Sequence, residues 1–350
     1  MDKIDIRSLT LPELQEETAA MGLPKFRAGQ IYSWLHQKYA ASFDEMTNLG
    51  KDLRETLNER FELPNCTIVK KLESAVDGTI KYLYKLDDGE IIECVLMKYK
   101  YGYSICVSTQ IGCNMGCTFC ASTIGGCVRN LRPSEMLAEI YTAARDCGER
   151  ISHCVLMGMG EPLQNYDNVL RFLELLTDAN GMNMGARHIS VSTCGIVPRI
   201  YDLMELHPQF TLSVSLHAPN DDIRRQIMPV SRKWPIEELL AACKDYTEAT
   251  SRRISFEYAM IRGVNDTDAC AEELAQRLKG MLCHVNLIPA NEVRENDYQR
   301  STDDRLRAFS AILDRRGITT TIRRTLGPDI NASCGQLRRS HQANNKGEPV

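Results

Sequence analysis

Hydrophobic positions recur at helical spacing through the first sixty residues. "LPELQEETAAMG" reads as one helix that stops at a glycine. "PKFRAGQIYSWLHQKY" opens with Pro24 at a first helical position and carries Phe26, Ile31, Trp34 and Leu35 at helical spacing. "LGKDLRETLNERF" reads as a third helix. Between residues 67 and 98 the period changes to two. "TIVKKLES", "TIKYLYKL" and "EIIECVLMKY" read as strands, and "VDG" and "DDGE" supply their turns. An antiparallel meander is expected there.

From about residue 103 short apolar runs alternate with amphipathic stretches. The runs are "YSICVST", "HCVLMG", "HISVST", "FTLSVSLH", "RISFEYAM", "CHVNLIP" and "GITTTIRR". Between most of them lie helical patterns. "RPSEMLAEIYTAARDCG", for example, has proline near its start and glycine after its end. Alternation at this spacing predicts parallel strands with crossover helices, and the number of units favours an incomplete barrel over a flat sheet. The expected fold class is α/β, a partial parallel (β/α) barrel with a small N-terminal helical domain and an antiparallel β linker. The expected boundaries are 1–65 (helical domain), 66–98 (β extension), 99–340 (barrel core) and 341–350 (disordered tail).

Composition narrows the class. Hydrophobic content of 43% and charged content of 25% suit a globular enzyme. No apolar stretch reaches membrane-spanning length, and "MDKIDIRSLTLPELQEE" has no basic segment followed by an apolar core. A cytoplasmic protein without membrane contact is expected. Fourteen cysteines in such a chain read as ligands, catalytic thiols or core filler, not disulfides. A net charge of −4 requires that any nucleic-acid contact use local patches. The candidate patches are "RNLR" (129–132), "RRQIMPVSRK" (224–233), "SRR" (251–253), "IRR" (322–324) and "LRRSH" (337–341), each of which alone reads as a solvated face.

The unusual chemistry lies in "STQIGCNMGCTFCAST". Cys113, Cys117 and Cys120 form C-x3-C-x2-C in the loop after the first barrel strand, where such folds gather function. A structural zinc site would want a fourth Cys or His nearby, for which Cys106 and Cys127 are oddly spaced; a ferredoxin-type cluster would want four cysteines, and a disulfide leaves one thiol over. The remaining reading is one [4Fe–4S] cluster with three cysteine ligands. Its fourth iron site would go to the amino and carboxylate groups of S-adenosylmethionine, whose cleavage yields a deoxyadenosyl radical.

The chain resembles the radical S-adenosylmethionine (SAM) superfamily and, within it, the RNA adenine C2 methyltransferases of the RlmN family. The matching stretches include "FRAGQIYSWLHQK", "CVSTQIGCNMGCTFCAST", "LMGMGEPLQNYDNV", "SLHAPNDDIRRQIMP", "HVNLIPAN" and "INASCGQLR". The resemblance implies a barrel of the radical SAM type. It implies that Gly160, Glu161, Ser192, Ser215, Leu216, His217 and Asn291 contact S-adenosylmethionine. It implies that Cys334 carries the methyl group, that Cys106 resolves the intermediate through a transient disulfide with Cys334, and that Glu93 is the proton acceptor. Implied substrates are an adenosine of 23S rRNA and the adenosine 3′ of the anticodon in some tRNAs. A flavodoxin-type electron donor, a thiol reductant and a monomeric state complete the expectation, and the helical domain is the RNA-binding candidate. Cys194 reads as structural.

Three rivals remain open at this point. Methylation at C8 of the same adenosine uses the same cluster and thiols. Another radical SAM activity would need no Cys106/Cys334 pair. A zinc-stapled or electron-transfer RNA-binding module would need no S-adenosylmethionine.

Overall fold

The computed structural model describes residues 3–291, 293, 296–333 and 335–337. Three N-terminal helices are α1 (Leu11–Ala20), α2 (Phe26–His36) and α3 (Lys51–Arg60). Helix α1 begins with a capping box: Thr10 N–H donates to Glu13 Oε2 at 2.7 Å, and the Thr10 hydroxyl accepts from the Glu13 N–H. The run Ile4–Asp5, inside the region read as helical, instead pairs in parallel with Phe61–Glu62 and ties the two ends of this region together.

One ten-stranded sheet follows. Its strands are β1 (Cys66–Glu73), β2 (Ile80–Leu86), β3 (Ile91–Tyr99), β4 (Gly102–Cys106), β5 (Ile151–Leu156), β6 (Ile189–Thr193), β7 (Thr211–Ser215), β8 (Ile254–Met260), β9 (Cys283–Pro289) and β10 (Thr320–Ile322). They lie in sequence order. β1 to β4 pair antiparallel and β4 to β10 pair parallel, so the meander feeds directly into the barrel strands. Among the described residues β1 and β10 remain edges, and the barrel is open.

The crossovers carry α4 (Pro133–Cys147), α5 (Tyr166–Thr177), α6 (Val197–Glu205), α8 (Ile236–Thr250), α9 (Asp268–Leu278) and α10 (Asp303–Arg315). A short α7 (Asp221–Ile227) precedes α8; the hydrophobic pattern does not announce it, because two turns present too few apolar positions. Interior strands read as buried runs: every side chain of β3 from Ile91 to Met97 is buried. The N-terminal helices share the barrel's hydrophobic core through Ile31, Tyr32 and Leu35. Arg171 on α5 grips Glu13 with two bonds of 2.8 Å, a bidentate clamp between the helical region and the barrel.

Candidate active site

The cysteine loop is held before anything binds. Gln110–Gly112 pairs antiparallel with Cys127–Asn130 and closes the loop at its base. Gly112 has φ +78°, and a Cβ there would sit 2.0 Å from the Gly126 carbonyl oxygen, so only glycine fits. Inside the loop, Cys120 N–H donates to the Cys117 carbonyl at 3.1 Å and Thr118 N–H to Ile227 O at 3.0 Å, the last residue of α7. Ala121 N–H donates to Gly335 O at 2.8 Å, and Ser122 Oγ donates to Leu337 O at 2.8 Å. The C-terminal segment is thereby fastened to the cysteine loop.

Cys113, Cys117 and Cys120 all line one cavity of about 1080 Å³, counting its open mouth. Among the described residues no three His, Cys, Asp or Glu side chains converge on a single-ion site. Three cysteine thiols on the wall of one cavity are a donor set that an iron–sulfur cluster could use. Burial pushes the Cys113 thiol up to about 12 and Cys117 well above the ordinary thiol range. Ligation must therefore displace protons from these sulfurs.

The opposite wall comes from the strand ends. After β5, Gly160 has φ +102°, and its missing side chain makes room for Gln110: a Cβ at residue 160 would lie 2.6 Å from the Gln110 Cβ. Gln110 Oε1 in turn accepts from the Glu161 N–H at 2.8 Å. The Glu161 carboxylate is buried and accepts from the backbone N–H of Leu163 at 3.0 Å and of Cys194 at 2.7 Å. Burial raises its pKa, and these bonds work against the rise.

Ser192, Ser215, His217 and Asn291 also line the cavity. His217 sits at φ +58° and accepts from Ala259 N–H through Nδ1 at 2.9 Å, which leaves the ring proton on Nε2. Burial, helped by Arg224, lowers its pKa to about 3, so the ring is neutral. Phe119, between two cluster cysteines, meets it edge-on at 5.0 Å. Leu216 departs from the expectation: its side chain is wholly buried in the core, off the cavity wall, because the strand pleat turns it away from Ser215 and His217. Only its backbone can face a ligand.

Cys106, at the end of β4, lines a second cavity with Val95, Met97, Ser333 and Leu337. The two cavities share Met157, Ile288, Asn291 and Arg323 as a common wall. Cys334 lies outside the described residues. Its neighbours are placed: Ser333 lines the second cavity and Gly335 the first. No disulfide occurs among the described residues, and the expected transient Cys106–Cys334 bridge involves a residue outside them. Glu93 lines neither cavity. It is buried on β3, with Oε2 at 3.4 Å from Lys81 Nζ, on the strand face that carries Val95 and Met97 to the second cavity.

Several basic residues read as solvated are otherwise engaged. Arg129 bonds Asp88 at 2.6 Å and Glu135 at 2.8 Å, and Arg132 bonds Glu62. Arg224 is completely buried beneath the cavity. Arg323 lines both cavities and faces Glu257 at 3.8 Å. Gln110 and Glu257 escaped notice in the sequence because their partners lie far along the chain, 51 residues for Gln110 to Glu161 and 66 for Glu257 to Arg323, while Arg224 and Arg323 stood there only as members of basic segments. The tail from residue 338 on, with most of "LRRSH", lies outside the described residues.

A half-barrel of parallel strands whose ends surround a three-cysteine loop defines the radical SAM class of enzyme. Residues 107–278 match the model of the radical SAM superfamily, and residues 4–63 that of the ribosomal RNA large subunit methyltransferase N-terminal domain. The chain is 55% identical over 344 residues to the probable dual-specificity RNA methyltransferase RlmN of Alkaliphilus oremlandii, covering 98% of this chain and 100% of that protein. It is 52% identical to the probable RlmN of Lachnoclostridium phytofermentans, covering 97% and 96%. A crystal structure of a radical SAM methyltransferase from Sphaerobacter thermophilus superposes with a TM-score of 0.93 at 47% identity, covering 96% of this chain and all of that one. The chain belongs to the RlmN family of methyltransferases.

Proposed function

We propose that the protein methylates C2 of an adenosine in 23S rRNA, and of the adenosine 3′ of the anticodon in tRNA, through a methylated cysteine. The observation that supports this best is the pair of adjoining cavities. One is ringed by the cysteine triad and the strand ends, the other holds Cys106, and the residues flanking Cys334 belong to both walls.

Cys113, Cys117 and Cys120 would hold a [4Fe–4S] cluster, and three thiols on one cavity wall in a loop closed by backbone bonds fit that group. When bound, the cluster and S-adenosylmethionine supply a 5′-deoxyadenosyl radical. Gly160 and Glu161 receive the methionine ammonium: each Glu161 oxygen accepts one backbone N–H and keeps a further lone pair. Ser192, Ser215, the Leu216 backbone, neutral His217 and Asn291 hold the rest of the molecule and exclude water.

Adenine C2 is electron-poor and cannot attack a sulfonium methyl directly. The Cys334 thiolate would take that methyl by displacement and become a thioether; once one hydrogen atom of the S-methyl group has passed to the deoxyadenosyl radical, the remaining carbon radical would add to C2. Glu93 accepts the C2 proton. Cys106 thiolate then attacks the carrier sulfur as the adduct gives up one electron; the sulfur–carbon bond breaks with its pair on carbon, that carbon takes up a proton to become the methyl group, and methylated RNA leaves a Cys106–Cys334 disulfide behind. A thiol reductant restores the sulfurs, and a flavodoxin-type protein supplies electrons. The target base must leave its stack to enter. Names of the relatives as RNA methyltransferases of dual specificity support both RNA substrates.

The test is anaerobic turnover of reconstituted protein with S-adenosylmethionine, reductant and a 23S rRNA fragment, followed by mass spectrometry of the digested RNA. 2-Methyladenosine that requires Cys334 is the expected product. 8-Methyladenosine would replace the C2 assignment, and deoxyadenosine without methylated base would overturn the RNA assignment.

A further inference from the structure

Arg224 is a large cation packed behind the cavity wall, and its surroundings are unusual for a charged side chain. It is fully buried on the two-turn helix α7. Its hydrogen bonds go to three backbone carbonyls: Cys194 O at 2.7 Å, Leu216 O at 3.1 Å and Ser215 O at 3.2 Å. Its Nη1 is buried without a hydrogen-bond partner. No carboxylate lies within ion-pair distance of it among the described residues. Carbonyl dipoles satisfy donors but do not neutralise a full charge, and a buried unpaired charge is costly.

The position of this charge is fixed with respect to the cysteine loop. The last residue of α7, Ile227, accepts the Thr118 N–H at 3.0 Å, between two of the cluster cysteines. Cys194, whose carbonyl Arg224 holds, packs in one apolar cluster with Cys117 and Ile227. The net charge of a thiolate-bound iron–sulfur cluster is negative, and nearby charge is one of the levers that sets its reduction potential.

We propose that Arg224 is the built-in counter-charge of the cluster, a positioning residue that makes the reduced cluster easier to reach. The proposal rests on the reading of Cys113, Cys117 and Cys120 as cluster ligands. In this role Arg224 removes itself from the basic segment 224–233 as an RNA contact, and its carbonyl fork keeps the charge from swinging out to solvent.

The experiment compares reconstituted wild type, Arg224→Gln and Arg224→Lys. Iron content and the visible spectrum report loading, circular dichroism reports folding, and the reduced signal in electron paramagnetic resonance is followed in a potentiometric titration with dithionite. A wild type that loads no cluster sinks the ligand reading and leaves the role of Arg224 moot. With the wild type loaded, Arg224→Gln is expected to lower the ratio of reduced to oxidised cluster at fixed potential by about tenfold or more, while Arg224→Lys stays within about threefold. Loading by the Lys but not the Gln variant supports the proposal equally. An unchanged ratio in a folded Gln variant overturns it. Where the Gln variant does not fold, the Lys variant decides: a wild-type ratio supports charge as the cause, and a folded Lys chain that loads no cluster overturns it.

Discussion

Gln110 fills the space that a side chain at Gly160 would need, with its Cβ 2.6 Å from where a residue-160 Cβ would stand. The contact joins the strand that leads into the cysteine loop to the turn that carries Glu161. Gly160→Ala must push these apart, and φ +102° adds strain for any side chain. Overpacking of this kind costs ~1–3 kcal/mol. Affinity for S-adenosylmethionine is expected to fall by at least tenfold in equilibrium dialysis, with the melting temperature lowered by a few degrees. Unchanged affinity would separate this turn from the ligand.

The cluster reading makes a sharp prediction for Cys117. Cys117→Ser is expected to lose most bound iron and the brown colour while its far-ultraviolet circular dichroism stays that of wild type, because the loop is closed by backbone bonds. Production of deoxyadenosine should vanish with the iron. Full iron content in the variant would show that Cys117 is not a ligand.

Cys106 is expected to matter after carbon–carbon bond formation and not before. Cys106→Ala should still cleave S-adenosylmethionine and should accumulate protein covalently joined to RNA, visible as a nuclease-sensitive shift on a denaturing gel. Free methylated RNA at the wild-type rate would remove Cys106 from the reaction.

Lys81 and Glu93 form a buried pair whose side chains are 8% and 1% exposed. Removing one partner of such a pair typically costs ~3–5 kcal/mol. Lys81→Met is therefore expected to show a much lower urea midpoint. Glu93→Gln also takes the counter-charge from Lys81, but it keeps the shape and an acceptor oxygen and leaves Lys81 its bond to Asn331 O at 3.1 Å; it should fold with a lowered urea midpoint, and it should slow the appearance of methylated RNA with little change in deoxyadenosine formation. Equal slowing of both would place Glu93 outside proton transfer.

His217 supplies a pH dependence. Its native pKa is near 3 against an ordinary 6.5, so unfolding takes up a proton between these values. Its contribution to stability is present above about pH 6.5 and is lost as pH falls towards 3, at ~1.4 kcal/mol per pH unit. Asn accepts a hydrogen bond in the same place and tolerates positive φ. His217→Asn should flatten the fall in urea-derived stability across that window, relative to wild type, by about that slope. Parallel curves would mean that His217 is charged in the native state.

Much of this was legible in the sequence. The change of period from helix to strand near residue 67 and the β/α alternation after 103 are properties of local side-chain order, and the sheet reproduces them strand by strand. The spacing of Cys113, Cys117 and Cys120 carries its own chemistry, since few groups use three sulfurs with one position open. The two-residue pairing of Ile4–Asp5 with Phe61–Glu62 was not legible, because so short a strand has no period to detect.

What the sequence by itself determined, then, is the order of elements and the identity of the reactive groups. Only the tertiary structure decided which charges are spent and which are kept. Arg129 and Arg224 stand in equally basic segments, yet one is tied to Asp88 and Glu135 and the other is buried on backbone carbonyls, with Asp221 a turn away but, among the described residues, no carboxylate in ion-pair contact. It also decided that Leu216 turns away while Ser215 and His217 line the cavity, and that Cys106 lines an adjoining one. The physical reason is the same in each case. Periodicity fixes which face of an element is buried, but the partner across that face comes from a distant part of the chain, and the free energy of a buried charge depends on that partner.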